Sequence, residues 1–460
     1  MFFIYGYGGT GKTFIWNTLS AALRSKGEIV LNVASSGIAS LLLPGGRTAH
    51  SRFKIPINVN EDSMCNINQG SPLAELIVKC KLIIWDEAPM MHKFCFEALD
   101  RSLRDIMRFV NPSSASTPFG GKTVVFGGDF RQILPVIPKG SRQDIVFATI
   151  NSSYLWKYCK VLRLTKNMRL QNMGSSAEAV ELEEFSKWIA SIGDGTIGSA
   201  NDGNVNIDIR TDFLIKWSGN PIEHIVNTIY PSDCSNNVDT SYLQERAILA
   251  PTLNAVEYVN QYMISLNKSE GRLYRSSDST SRSDSITDLV QQVHTPEFLN
   301  SIKCSGVPNH EIYLKVGTPV MLLRNIDHAN GLCNGTRLKI TRLGQHVLEA
   351  QILTGDNANT KNLIPRMSLT TADPRLPFKF ERRQFPLIVS YAMTINKSQG
   401  QSFSHVGLFL PRPVFTHGQL YVAVSRVRSR AGLKILLSED GRNDDTTTTN
   451  VVYREVFQNV

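Results

Sequence analysis

The 460-residue chain has no run of about 20 apolar residues, the length a helix needs to cross a bilayer, which predicts no membrane-spanning segment. Its seven cysteines, Cys65, Cys80, Cys95, Cys159, Cys234, Cys304 and Cys333, include no C-x-x-C pair. That scatter indicates neither a zinc site nor a disulfide framework and fits a reducing compartment. The start, MFFIYGYGG, carries neither the charged n-region nor the cleavage site of a secretory signal, so the chain is expected not to be secreted by that route. Because an apolar run begins at Met1, a shortened N-terminus is expected. Acidic excess is also missing: 49 Lys and Arg against 40 Asp and Glu leave a net charge of +9, which suits a polyanionic partner without identifying one. No short-period repeat is present. With 42% hydrophobic and 19% charged residues the chain is neither disordered nor fibrous, and its length predicts two or three packed lobes.

Short apolar runs rich in β-branched and aromatic residues recur at 2–5, 29–33, 82–85, 123–126, 248–250, 387–391 and 406–410. Helix-compatible stretches lie between some of them, at 13–24 and 94–109. This alternation predicts an α/β fold with mostly parallel sheets. Segments 111–118, 193–206, 276–285 and 440–450, rich in Ser, Asn, Asp and Gly, are expected to be loops. From about Lys315 to Arg383 the pattern changes to short strands (319–323, 336–341, 347–353) separated by Asn334-Gly335 and Gly355-Asp356, which predicts a small β module interrupting the second lobe.

Gly6-Tyr7-Gly8-Gly9-Thr10-Gly11-Lys12-Thr13 fits G-x-x-x-x-G-K-[ST], after an apolar strand and before a helix, as that motif requires. Backbone N–H groups of such a loop cradle phosphates, Lys12 reaches the β and γ oxygens, and Thr13 holds Mg²⁺. The same residues also read Gly6-x-Gly8-x-x-Gly11, a dinucleotide fingerprint. That reading wants an acid at the end of the next strand to bind a ribose. Glu28 precedes that strand and Ala34-Ser35-Ser36 follows it, so the acid is missing and Lys12-Thr13 goes unexplained.

Leu82-Ile83-Ile84-Trp85-Asp86-Glu87 is a buried-type strand ending in two acids. Adjacent acids at a strand end are, taken alone, often only a solvated turn. Downstream of a phosphate loop the first completes a Mg²⁺ site and the second polarises the attacking water. A third strand, 123–126, leads into Gly127-Gly128-Asp129-Phe130-Arg131-Gln132. Parallel α/β sheets place ligands at the carboxyl ends of their strands, which makes Gln132 a candidate sensor of the γ-phosphate or water. A capping Gln in a turn is the alternative.

Several blocks in order then resemble one family: GYGGTGKT, SSGIASLLLPGGRTAHSRFKIP, IIWDEAPM, VVFGGDFRQILPV, LTKNMRL, APTLNAVEYVN, FPLIVSYAMTINKSQGQSF and YVAVSRVRSRAGLKIL. Together they resemble the petite-integration-frequency (PIF-type) DNA helicases of superfamily one, subgroup B, in the eukaryotic branch that includes helicases of Helitron transposons. The resemblance covers nearly the whole chain. It implies two RecA-like lobes with ATP between them: a first lobe over 1–165 with a wedge insertion at about 54–78, a second over 166–314 and 385–460, and an SH3-like β insertion over 315–384. It implies ATP-dependent 5'-to-3' translocation on single-stranded DNA and unwinding of forked duplex, in repair, recombination and telomere maintenance. The nucleus, or alternatively the mitochondrion, is the implied compartment.

Residue by residue, the resemblance implies that Gly6, Gly8, Gly9, Thr10, Gly11, Lys12, Thr13 and Gly400 bind the nucleotide. Thr13 and Asp86 would hold Mg²⁺, Glu87 would activate water, and Gln132 would couple to the γ-phosphate. Arg169 and Arg426 would be arginine fingers from the second lobe, where a planar guanidinium stabilises charge building on the transferring phosphoryl group. Thr48, His50, Phe53, Lys54 and Pro56 of the first lobe and Thr394, Lys397, Ser398 and Gln399 of the second would contact DNA. Hydroxyls and cations suit phosphates, and Phe53 could stack on a base, although Phe53 or His50 taken singly reads equally as a core or loop residue. Two departures stand out: the family's glutamine-containing adenine-recognition segment has only five residues in which to precede Gly6, and its Asn after APT is Leu253, with Asn254 one place later. Other readings are a catalytically impaired transposon-derived nucleic-acid binder, a RecD-like translocase and an RNA helicase.

Overall fold

A computed structural model of the chain describes residues 1–166, 168, 176–198, 203–231, 239–280, 295–304, 306–370, 376, 378, 380–438, 446–458 and 460. The first lobe begins with β1 (Phe2–Gly6), α1 (Lys12–Arg24), β2 (Ile29–Ala34), α2 (Gly37–Leu41), β3 (Arg47–Thr48), α3 (Ala49–Phe53) and α4 (Pro72–Lys79). It continues through β4 (Cys80–Asp86), α5 (Lys93–Met107), β5 (Thr123–Gly128), α6 (Arg142–Phe147) and β6 (Lys160–Leu164). Its strands form one six-stranded parallel sheet in the order β3-β2-β4-β5-β1-β6. Strands β4, β5 and β1 are neighbours, so the acids, the Gln132 loop and the phosphate loop leave adjacent carboxyl ends. The sheet is buried on both faces, which is why β4 reads as a continuous apolar run rather than an alternation. Trp85, Phe96, Phe126 and Phe130 fill one side and Trp16, Ile84 and Val125 the other.

The second lobe carries α7 (Ser176–Asp194), β7 (Asn204–Asp208), α8 (Pro221–Ile229), α9 (Thr240–Gln244), β8 (Arg246–Ala250) and α10 (Leu253–Leu266). Antiparallel pieces follow: β9 (Gly271–Arg275), β10 (Ser277–Thr280), α11 (Pro296–Ser301), β11 (Glu311–Lys315), β12 (Pro319–Leu322), β13 (Arg337–Leu343), β14 (Val347–Ile352), β15 (Lys361–Pro365), β16 (Met367–Thr370), β17 (Phe380–Gln384) and β18 (Leu387–Val389). The chain returns through β19 (Ala392–Thr394), β20 (His405–Leu410), α12 (Gln419–Val424), β21 (Leu433–Leu437) and β22 (Thr447–Val451). A parallel sheet, β19-β8-β20-β21, forms the lobe's centre, and a five-stranded antiparallel sheet, β15-β14-β13-β12-β18, forms the β module.

The expected α/β architecture with parallel sheets is what the structure shows. The apolar run 387–391 divides between two sheets instead of forming one strand. Ser390 N–H donates to Pro319 O of the module at 2.9 Å, and the next residue's carbonyl, Tyr391 O, accepts from Ile248 N–H of the parallel sheet at 3.1 Å. An apolar run buried on every side carries no periodicity that could reveal such a crossing. Segments expected to be loops also contain strands: β7 and β22 pair antiparallel, and β10 pairs with β17. Their Thr and Val residues favour strands in a way the polar composition hid. Among the described residues, no helix is long and apolar enough to cross a membrane.

Candidate nucleotide site between the lobes

Side chains of the phosphate loop bond to the loop's own carbonyls. Thr10 Oγ1 donates to Tyr7 O at 2.8 Å, and Lys12 Nζ donates to the Gly6 carbonyl and to Tyr7 O, the latter at 3.3 Å. Gly6 must be glycine, since a Cβ there would lie 2.5 Å from Thr10 Oγ1; Gly11 supplies φ +87° at the mouth of α1. No side chain caps α1 and its first turn holds no acid, so its N–H groups point at an open anion position. Gly8, Gly9 and the exposed Thr13 complete this rim.

Asp86 and Glu87 face that loop from the end of β4. Asp86 is buried and its Oδ1 has no hydrogen-bond partner. A buried, unpartnered carboxylate oxygen beside an anion cradle is what a hard cation needs. Burial raises the Asp86 carboxyl above its usual range, and the Lys12 charge works against that rise. Glu87 sits in the left-handed region at φ 52°. Burial, then the Asp86 charge, push it up to about 7, while the charges of Lys12 and Arg426 pull it down. A half-buried carboxylate poised near neutrality is suited to accept a proton.

The third strand end brings Gln132, whose Nε2 donates to Glu87 Oε2 at 3.3 Å. Gly127 and Gly128 set the path of this loop, because a Cβ would lie 2.2 Å from the Trp16 ring at the first and 2.3 Å from Pro89 at the second.

The second lobe closes over this loop. Gln399 Nε2 donates to Gln132 Oε1 at 3.3 Å, Tyr421 O–H donates to Asp129 Oδ2 at 2.6 Å, and His417 Nε2 donates to Phe130 O at 2.8 Å. Arg131 makes two bonds to Asp194 of α7, at 2.6 and 2.8 Å. Arg426 is 8% exposed and donates to Val422 O, Gln401 O and Ser425 Oγ of its own lobe. Its charge nonetheless acts on Glu87 across the boundary. Beside the loop, a shallow cleft is walled by Tyr7 and Gly8 of the first lobe and by Phe185, Tyr421 and Arg428 of the second. Arg169 lies outside the described residues.

The structure thus brings Lys12, Asp86, Glu87 and Gln132 together at the strand ends of the first lobe, within electrostatic reach of Arg426. It excludes the dinucleotide reading: Ser35 and Ser36 follow β2, Ser35 Oγ accepts from Trp85 Nε1 and Ser36 caps α2. Gly400 abuts Ile38 and Ala39 of α2.

The residues expected to touch DNA divide. Thr48 caps α3 through Ser51 N–H, Lys54 is exposed at φ 50°, and His50 and Pro56 are half-buried beside them. Phe53 is corrected: it is fully buried, with its ring 6.1 Å from that of Trp85, so it is a core residue and no base-stacking platform. Ser398 is likewise buried and donates to Ile395 O, and Gln399 is turned into the cleft. Thr394 remains half-buried, and Lys397 Nζ reaches Asn334 Oδ1 of the β module at 3.4 Å.

Asp129, His417 and Tyr421 are the residues that sequence reasoning missed. They stand in or beside the quoted blocks, but nothing in one strand's sequence shows which residues of another lobe it will meet. A cation cluster was missed too: Arg47 and Arg52 of the first lobe lower the pKa of His328 on the β module, and Arg324 lowers that of Lys397, after burial in both cases.

Two RecA-like lobes closed on a phosphate loop and paired acids define the architecture of a P-loop nucleotide-binding protein. The family described as PIF1-like helicase matches residues 1–203, and the 2B domain of DNA helicase Pif1 matches 297–343. The chain is thus similar to PIF1-type helicases in both its first lobe and its β module. It is 26% identical over 438 residues to the ATP-dependent DNA helicase PIF1 of Danio rerio, covering 94% of this chain and 58% of that protein. To the ATP-dependent DNA helicase RRM3 of Saccharomyces cerevisiae it is 26% identical over 471 residues, 96% of this chain and 63% of the relative. The chain therefore spans about three-fifths of the length of these curated relatives. Its fold is similar to that of a Bacteroides Pif1 bound to single-stranded DNA (TM-score 0.63, 24% identity, 97% of this chain and 89% of the other). The Candida albicans Pif1 helicase gives a TM-score of 0.61 at 21% identity, covering 99% and 94%.

Proposed function

We propose that the chain is an ATP-driven DNA helicase that moves 5'-to-3' on a single strand and separates forked duplex in the nucleus or mitochondrion, serving repair, recombination and telomere maintenance. The observation that carries this reading is the meeting of the two lobes at the phosphate-loop end of the first sheet, where Gln399 of one lobe donates to Gln132 of the other and Gln132 donates to Glu87. Its relatives bear the name ATP-dependent DNA helicase, which supports the same activity.

Asp86 Oδ1 and the Thr13 hydroxyl fit Mg²⁺, which keeps several waters and binds through one or two protein groups plus substrate phosphates. When bound, that ion neutralises charge on the phosphates. Lys12 and the α1 N–H groups bind the β and γ oxygens, Gln132 orients the attacking water, and Glu87 takes its proton. Arg426, with Arg169, meets the charge on the transferring group. Substrate draws the lobes together and hydrolysis frees them, so alternating grips on the strand become steps. Parting duplex costs about 1.4 kcal/mol per base-pair step, a small demand on such a cycle. Lys54 and the cations Arg47, Arg52, Arg324 and Lys397 would hold the strand's phosphates. The segment at about 54–78 would be the wedge that meets the fork; Arg101 clamps it by donating to Ser63 O.

Strand displacement on 5'-tailed and 3'-tailed duplexes of DNA and RNA tests the reading. We expect displacement of the 5'-tailed DNA duplex alone, single-stranded DNA to stimulate hydrolysis, and Lys12→Ala to abolish both. Hydrolysis at one rate with or without DNA would remove the motor, and preference for RNA duplex would reassign the substrate.

A further inference from the structure

Gln399 belongs to a block expected to contact DNA, yet the fold buries it at 6% exposure and aims its amide across the lobe boundary. Its Nε2 donates to Gln132 Oε1, and Gln132 Nε2 donates to Glu87 Oε2, each at 3.3 Å. A carboxamide has one accepting edge and one donating edge. With its accepting edge engaged by Gln399, Gln132 must present its donating edge to Glu87. The reversed amide would set an oxygen against the carboxylate and oppose two NH₂ groups at Gln399. The orientation of Gln132 is therefore fixed from the second lobe.

The backbone that carries Gln399 is continuous with the strand block. Residues Ile395–Ser398 form a single 3-10 turn, and Gln399 N–H closes it by donating to Asn396 O at 3.5 Å. Thr394 precedes that turn and Lys397 lies within it, so the residues expected to hold a strand phosphate share one short stretch of backbone with Gln399.

We propose that Gln399 is a positioning residue of the hydrolytic site: it orients Gln132 against Glu87, and through it a strand held at Thr394 and Lys397 governs hydrolysis. This rests on the helicase reading above.

Gln399→Met, similar in length but unable to donate, tests it. The assays are steady-state ATP hydrolysis with and without oligothymidylate, and anisotropy of a labelled oligothymidylate. We expect kcat in the presence of DNA to fall about tenfold to a hundredfold, the range for a misaligned reacting group, with KM for ATP and Kd for DNA changed by no more than about twofold. In a Gln132→Ala background the same substitution should cost little more, because the two residues act as one unit. Gln399→Glu, equal in length and unable to donate when ionised, should act in the same direction. An unchanged kcat, or full multiplication of the two losses, would overturn the proposal. Weakened DNA binding with kcat intact would also overturn it and make Gln399 a strand contact. A wild-type chain that hydrolyses no ATP would instead overturn the helicase reading, and the proposal with it.

Discussion

Acidification should loosen the two lobes through His417, which is fully buried and bonded on both ring nitrogens. Nε2 donates to Phe130 O of the first lobe at 2.8 Å, and Nδ1 accepts from Tyr453 N–H at 2.8 Å. Both partners are backbone groups, so the neutral Nε2-H tautomer is fixed and a second proton would displace the Tyr453 bond. Burial therefore pushes the imidazole down from 6.5 to about 4. The folded value lies below the unfolded one, so the unfolded chain binds the proton first: this stabilisation is complete above about pH 6.5 and drains away as pH falls to 4. At 1.36 kcal/mol per pH unit the whole effect is about 3 kcal/mol, of which about 2 kcal/mol is lost by pH 5. His50, His92, His328 and His405 are lowered as well, so the variant difference, not the raw pH profile, is the measurement. His417→Gln can keep both bonds and cannot titrate. Urea unfolding followed by tryptophan fluorescence at pH 7.5, 6 and 5 should show the wild type losing about 2 kcal/mol more than the variant by pH 5. Parallel stability curves for the two proteins would refute the reasoning.

Glu87→Gln should lower hydrolysis about 10²- to 10⁴-fold while leaving nucleotide binding within a few-fold, as titration of a fluorescent ATP analogue would check. Hydrolysis by the wild type needs the ionised carboxylate, held near 7, so kcat/KM should rise through about pH 7 and fall below it; an acidic limb near pH 4.5 would contradict this. Gly127→Ala forces a methyl to within 2.2 Å of the Trp16 ring and should cost about 1–3 kcal/mol of stability in thermal melts, with lost hydrolysis as the Gln132 loop shifts. Asp278→Ala strands the Arg382 guanidinium, since both side chains are 1% exposed; unfolding should be easier by about 3–5 kcal/mol, and a change under 1 kcal/mol would mean that water reaches the cation.

Much of the nucleotide site was legible because its residues are local to strand ends. Lys12 and Thr13 follow a glycine loop whose backbone geometry admits few other residues, and Asp86-Glu87 end a strand whose apolar run announces burial on both faces. Phe53 was misread because an aromatic within a polar block carries no sign of the direction it faces, and its neighbour Trp85 is 32 residues away in sequence. The split of 387–391 between two sheets was hidden for a related reason, since core residues look alike whichever sheet they join.

The sequence by itself marked the candidate phosphate loop, the parallel sheet behind it and the order of the blocks, because each depends on spacing within a few residues. Only the tertiary structure decided what meets across the lobe boundary: Gln399 with Gln132, Tyr421 with Asp129, and His417 with Phe130. Those pairs lie hundreds of residues apart in the chain and are joined by packing two hydrophobic cores against one another. No local preference of backbone or side chain encodes such a meeting.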